Sequence, residues 1–407
     1  MIKNYHVVVC NLTFLGVKTL TDLFNARKFG PSEWGQIFLL LTVVNFRGLI
    51  QLGCESGLNY LLTTESGKRI QGEIFFSGCI VNILTTGLLG IILIPMFNYN
   101  QFANITTCLC LLSNLFFVHC FYFNLSYFRA LQHKANQCKI YLLNSFLYPL
   151  LLILLLKNQE TPKFFLLSSL AFGLSAIFTI PKGIWKERFC SKHAANLIKF
   201  GLPLTLGSIF QSFLMTSDRI IFGIFKDDDF VGQYSIVSIL ISAGFLLSHS
   251  FSSQIIPNLI LLKNRGEKVK FFNEKSKIRS GFLPLGFGII ILYLFIGLYG
   301  LDHFLPAYKP NKTAIIVISL IPISLVYTIK YNIYYAVFKK MNYFLILTAI
   351  YIIFHFLIVS CVTYYSNSYT IIVATNIASL IAYNLYLSVY AKTKFRNLEK
   401  ANNFRGF

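Results

Sequence analysis

Charge is scarce in this sequence. Of 407 residues only 13% are Asp, Glu, Lys or Arg, and just 15 are acidic, where soluble domains carry about 25% charged residues. A water-soluble globular protein is excluded by that deficit. No Cys-x-x-Cys occurs, and the nine cysteines are scattered through apolar runs with Cys108 and Cys110 as the closest pair. A metal cage or a disulfide framework is therefore not expected, and small apolar packing is the reading for these thiols. Long polar segments are missing too. The longest connection on the outer side, LDHFLPAYKPNK at 301–312, is too short to fold as a catalytic domain, which argues against a membrane-embedded polymerase or glycosyltransferase.

What fills the chain instead is apolar sequence, 55% of it hydrophobic with mean hydropathy +0.63. Stretches of roughly 20 apolar residues, enough to cross a hydrocarbon core, recur from end to end. The expected class is an all-α polytopic membrane protein with about twelve transmembrane helices. They fall near 5–24, 35–62, 74–97, 104–126, 140–156, 164–181, 197–225, 231–256, 281–300, 313–335, 343–364 and 369–391. The first has no basic start and small-residue cleavage site, so it reads as a retained helix.

The net charge of +21 does not imply nucleic acid, because its placement is topological. With both termini on the inner side, the outer connections hold only Arg27, Lys28, Lys157, Lys163, Lys226, Lys309 and Lys312. The helices hold Lys18, Arg47, Lys199, Arg219 and Lys330, and all other Lys and Arg fall on the inner side. That asymmetry orients helices at insertion, and the inner basic segments also suit anionic headgroups of membrane lipids. The segments 182–196 and 257–280 are the longest on that side. The first divides six helices from six, giving an N-terminal lobe 1–185, a C-terminal lobe 186–391 and a basic tail 392–407. An even number per half gives both lobes one orientation, hence a pseudo-twofold axis along the membrane normal. Residues 21–38 and 216–235 echo each other, with Asp22 matching Asp218 and Gly35-Gln36 matching Gly232-Gln233.

Charges inside helices are costly, about 2.5–3.5 kcal/mol at a helix centre on insertion scales, so they face a partner or a wet cavity. Arg47, Gln51, Glu55 and Asn59 recur at four-residue steps, predicting one polar stripe on the second helix. Ser208, Ser212, Met215 and Arg219 share a face of the seventh, and Ser238, Ser242, His249 and Ser253 one of the eighth. Lys330 sits among Tyr327, Tyr331 and Tyr334. Lys18 and Asp22, four apart, can pair. Arg47, Arg219, Lys330 and Lys18 together make a candidate cationic chamber for an anionic headgroup, since guanidinium groups grip phosphate oxygens bidentately. Asp22, Glu55 and Asp218 are the candidates for ion coupling, or for internal ion pairs. Adjacent Asp218 and Arg219 point about 100° apart and need separate partners; one is expected to face the chamber. His119, His249 and His355 are candidate proton carriers, with packed polar residues as the plainer reading. The carboxylates of KDDDF at 226–230 diverge on a short turn and read as a solvated loop, not a metal site.

Four pieces carry a family resemblance. NARKFGPSEWGQIFLL at 25–40 resembles the junction of helices 1 and 2 in polysaccharide-transporter flippases, and LIQLGCESGLNYLL at 49–62 the end of their helix 2. KFGLPLTLGSIFQSFLMTSDRIIFG at 199–223 is similar to their helix 7, with its Leu-Pro start and Asp-Arg end, and VGQYSIVSIL at 231–240 to the start of helix 8. The match is to Wzx-type O-antigen or capsule repeat-unit flippases, in the same superfamily as multidrug and toxin extrusion proteins. It implies alternating access by two six-helix lobes in the bacterial cytoplasmic (inner) membrane. The substrate it implies is undecaprenyl-diphosphate-linked oligosaccharide, moved from the inner to the outer leaflet with no cofactor and no bond made or broken. Other polysaccharide-assembly proteins are candidate partners. A cation-coupled drug exporter of the same fold is the nearest rival, with Asp22, Glu55 and Asp218 as its cation site.

Overall fold

The computed structural model describes residues 4–45, 50–64, 67–100, 105–156, 160–181, 183–242, 287–319 (except 289 and 292), 341–366 and 368–400. No strand occurs among them. The helices are α1 (Asn4–Phe29), α2 (Pro31–Asn45), α3 (Cys54–Thr64), α4 (Lys68–Asn100), α5 (Ile105–Ala130), α6 (Lys134–Pro149), α7 (Thr161–Ile177), α8 (Ser191–Phe225) and α9 (228–242). They continue with α10 (Lys312–Ile318), α11 (Met341–Tyr365) and α12 (Tyr369–Lys400). Six helical stretches are long and apolar enough to cross a membrane among the described residues: His6–Phe29, Arg69–Ile91, Ile105–Ala130, Lys134–Leu155, Ile346–Tyr365 and Tyr369–Leu387. The chain is a multi-pass membrane protein, and its apolar side chains such as Leu88, Ile91 and Phe354 are exposed accordingly.

Local chemistry explains the helix ends. Gly30 takes a left-handed φ of 77° and stops α1; Pro31 then starts α2, where a missing N–H costs nothing. Glu33 in that first turn suits the positive helix end. Pro149 likewise lacks a donor inside its helix, and the following turn, Leu150–Leu155, widens into a π-helix that completes the span.

The continuous second helix expected over 35–62 is not what forms. After the described end of α2, Gln51–Gly53 make a turn, with φ of 51° at Leu52 and 77° at Gly53, before α3 begins at Cys54. The cause is a close backbone crossing with α8. A Cβ on Gly53 would lie 2.4 Å from the Gly201 carbonyl carbon, and one on Gly57 would lie 2.1 Å from the Leu197 oxygen. The crossing is fastened by Thr205 Oγ1 donating to Ser56 Oγ at 2.8 Å and by Tyr60 stacked on Phe200. The polar stripe predicted on one rod is therefore interrupted: Gln51 belongs to the turn and is fully buried, while Glu55 and Asn59 lie on α3.

The chain forms two compact units, residues 1–29 with 37–213, and residues 30–36 with 214–407. In the first, α5 packs along α7, α1 along α6, and α3 and α4 against α5. Its core includes a cluster of Leu58, Leu61, Phe75, Phe123 and Leu197. In the second, α11 packs on α12, and the connection 301–312 meets the start of α9 through Ala307, with Tyr308 completely buried. Burial, and after it the charge of Asp229, pushes the Tyr308 phenol above its ordinary range. Gly35 and Gly232, the matched glycines of the sequence echo, meet in this unit. A Cβ on Gly232 would fall 1.6 Å from the Pro31 carbonyl oxygen, and one on Gly35 would fall 2.9 Å from the Gly232 nitrogen.

The three aspartates of KDDDF do diverge, and Asp227 and Asp229 are exposed, as the solvated reading expects. Asp227 caps α9 by accepting the Phe230 N–H at 2.9 Å, Asp228 accepts from Gln36 Nε2 at 2.9 Å, and Asp229 lies near Tyr308. Gln233, the echo of Gln36, donates to the Ala307 carbonyl at 2.8 Å.

Candidate functional site

Among the described residues each unit holds one buried acid. In the first, Lys18 and Asp22 sit a helical turn apart on α1, and the lysine Nζ reaches Asp22 Oδ2 at 2.6 Å. The pairing expected from their spacing is present. The other carboxylate oxygen accepts from the Tyr148 hydroxyl of α6 at 2.8 Å, and the Lys18 ammonium stands 5.3 Å from the centre of the Tyr148 ring. Ser168 of α7 stands near Tyr148 and accepts from Asn114 Nδ2 of α5 at 2.8 Å. Four helices thus line the polar neighbourhood of Asp22. Tyr148 is 2% exposed and Asp22 7%, so these side chains satisfy the carboxylate, as a buried polar group requires.

In the second unit Asp218 and Arg219 are 3% and 4% exposed. Their side chains do turn to separate partners. Asp218 accepts from the Tyr234 hydroxyl of α9 and from Asn376 Nδ2 of α12 at 3.2 Å, and its Oδ1 accepts the Arg219 backbone N–H at 2.8 Å. Asn376 Nδ2 is also within hydrogen-bond range of the Tyr234 oxygen. The Arg219 guanidinium donates to Ser238 Oγ at 3.1 and 3.0 Å and to Ser242 Oγ at 3.3 Å. The serine face read on the eighth helix is therefore the face that meets Arg219. His249 and Ser253 of that face, Lys330 with its three tyrosines, and Arg47 lie outside the described residues, as do the side chains of Ser208, Ser212 and Met215.

Glu55 is half-buried and accepts from Ser126 Oγ of α5 at 3.0 Å. The two described intramembrane histidines are packed: His119 touches Thr86 Oγ1 at 3.3 Å, and His355 touches Ser379 Oγ at 2.8 Å and stacks on Tyr351. Among the described residues no group of three His, Cys, Asp or Glu could hold a metal ion.

Sequence reasoning missed Tyr148, Tyr234 and Asn376. A signal existed for Tyr234: it lies as far after Lys226 as Asp218 lies before it, so an antiparallel pair of helices turning there brings both to one depth. Nothing local marks Asn376, 158 positions from Asp218.

No protein-family model and no curated protein sequence matches the chain. Solved structures do. One is an inward-facing multidrug resistance MATE family transporter of the MOP superfamily, with TM-score 0.73 at 12% identity over 98% of this chain and 100% of that one. Another is a point mutant of the Vibrio cholerae MATE transporter VcmN, with TM-score 0.67 at 12% identity over 97% and 95%. A third is MATE in complex with MaL6, with TM-score 0.71 at 12% identity over 98% and 96%. The fold of this multi-pass membrane chain is that of the MATE transporters of the MOP superfamily.

Proposed function

We propose that the chain is a flippase that carries undecaprenyl-diphosphate-linked oligosaccharide from the inner to the outer leaflet of the bacterial cytoplasmic membrane. In this reading two six-helix lobes, 1–185 and 186–391, alternate in access, and no bond is made or broken. Arg47, Arg219, Lys330 and Lys18 supply positive charge for the diphosphate, and serine and asparagine groups suit the sugars.

One observation carries the choice of an anionic substrate over a cationic one. Both buried acids already have donors: Asp22 has Lys18 and Tyr148, and Asp218 has Tyr234, Asn376 and the Arg219 backbone N–H. A carboxylate so occupied has little left to offer a cationic drug, whereas a phosphate gains from arginine's planar fork. The fold supports the rival equally well, since solved structures that share it include a multidrug resistance transporter. That second reading is a cation-coupled exporter using Asp22, Glu55 and Asp218.

The two separate in cells lacking the protein. The flippase reading expects lipid-linked repeat units to accumulate on the inner leaflet, with cationic dye efflux unchanged. Dye retention without lipid accumulation favours the exporter. Single repeat units piling up on the outer leaflet point to a polymerase and overturn both.

A further inference from the structure

The turn between α5 and α6 holds an arginine whose bonding is unfinished. Arg129 ends α5, and the chain there is tightly fixed. His133 N–H donates to the Phe128 oxygen at 2.8 Å, Gln132 takes a left-handed φ of 57°, and the Gln132 and Gln137 side chains donate to the Arg129 and Phe128 oxygens. The last carbonyls of α5 are thereby satisfied, and Arg129 is held in place rather than loose in a loop. The sequence pattern alone puts it in a connecting segment.

Its guanidinium is a different matter. The half-buried side chain makes one long contact, Nη2 to the Tyr141 hydroxyl at 3.4 Å, and its buried Nε has no hydrogen-bond partner. Arginine carries five N–H donors, so most go unmatched within the described protein. Glu55 acts on Arg129 electrostatically and accepts from Ser126. Tyr122 also stands within electrostatic reach. The same turn adds His133 and Lys134, and α6 adds Lys139, which donates to the Phe178 carbonyl at 3.2 Å. Simple snorkelling to water does not account for a buried Nε.

We propose that Arg129, with the Tyr141 hydroxyl beside it, is a docking point for the phosphate group of a membrane lipid. Two facts select a lipid. Arg129 stands where two apolar spans, Ile105–Ala130 and Lys134–Leu155, leave the hydrocarbon, which is headgroup depth. The charge asymmetry assigns that side to the inner leaflet, where anionic headgroups meet basic segments. A phosphate fits the guanidinium bidentately, and the tyrosine hydroxyl donates a further bond. The phosphate can come from bulk phospholipid or from the diphosphate of a carrier lipid; the carrier form rests on the flippase reading above.

The experiment uses the full chain in a phosphate-free maltoside detergent. It is titrated with farnesyl diphosphate, short-chain phosphatidylglycerol and inorganic phosphate, and binding is read by thermal shift and native mass spectrometry. Wild-type protein is expected to bind at least one of the two lipids. Arg129→Gln should weaken that binding about tenfold or more, as expected for losing a charge-assisted pair, and Arg129→Lys should restore part of it. Tyr141→Phe, which removes only a hydroxyl, should weaken it less and guards against a folding defect in the arginine variant. Preference for farnesyl diphosphate marks the carrier lipid as the source; equal response to phosphatidylglycerol marks bulk lipid. Binding of inorganic phosphate alone overturns the lipid assignment. Lipid binding that is equal in wild type, Arg129→Gln and Tyr141→Phe overturns the site, and it leaves the flippase reading to stand or fall on leaflet accumulation.

Discussion

Lys18→Met tests whether the acid of the first unit is held by its own helix. The substitution keeps length and apolar volume while deleting the ammonium that lies 2.6 Å from Asp22. Asp22, whose side chain is 9% exposed, is then left with the Tyr148 hydroxyl alone among the partners described above. Breaking a fully buried pair costs about 3–5 kcal/mol. The Lys18 side chain is 32% exposed, so the pair is not fully buried, and the expected loss is about 1–3 kcal/mol. Asp22→Asn should also destabilise, because it strands the ammonium and weakens the tyrosine bond. The double variant Lys18→Met with Asp22→Asn removes both charges and should be more stable than the sum of the single losses implies. Melting of the purified protein in detergent, followed by intrinsic fluorescence and size exclusion, gives the cycle. Additive losses, or a Lys18→Met protein as stable as wild type, would refute the idea that this pair is a coupled buried unit.

Other predictions concern the second unit and the topology. Gly232→Ala should cost several kcal/mol or abolish folding, because its methyl lands on the Pro31 carbonyl where only backbone can yield; normal yield and melting of this variant would contradict the close crossing. Asn376→Leu removes one donor to Asp218 and should lower stability by about 1–3 kcal/mol, whereas Asn376→Leu with Asp218→Asn should recover part of that loss in the same melting assay. Arg219→Ala should impair repeat-unit export with the protein still inserted, and Arg219→Lys should recover only part of it; full export by a well-folded Arg219→Ala protein removes this residue from the substrate site. A cysteine placed by Lys275→Cys in a cysteine-free protein should react with impermeant reagent only when the inner face is open, and labelling of intact spheroplasts overturns the assigned orientation.

The helical membrane class was readable because lipid admits few alternatives: apolar runs of sufficient length must be helices. The Lys18–Asp22 pair was readable because a four-residue step fixes its geometry without any tertiary knowledge. The broken second helix was not. LIQLGCESGLNYLL has helical spacing throughout, and its glycines acquire meaning only from Gly201 and Leu197, far along the chain. The partners of Asp218 and Arg219 show the same limit. Ser238, Ser242 and Tyr234 follow one hairpin turn away, whereas Asn376 arrives from the last helix. Arg129 escapes a sequence reading for the opposite reason, since charge counting treats every basic residue near a span end as solvated.

The aspartates at 227–229 carry a consequence for chain length. Three neighbours serve three unrelated tasks: one starts a helix, one grips Gln36, and one lies beside a buried phenol. Because the tasks are assigned by position along a single turn, inserting or deleting one residue there would shift every aspartate onto its neighbour's duty. Exchanging any one of them for asparagine would disturb only its own. This connection should therefore tolerate spelling changes far better than changes in word length, the reverse of what is normally expected of a surface loop.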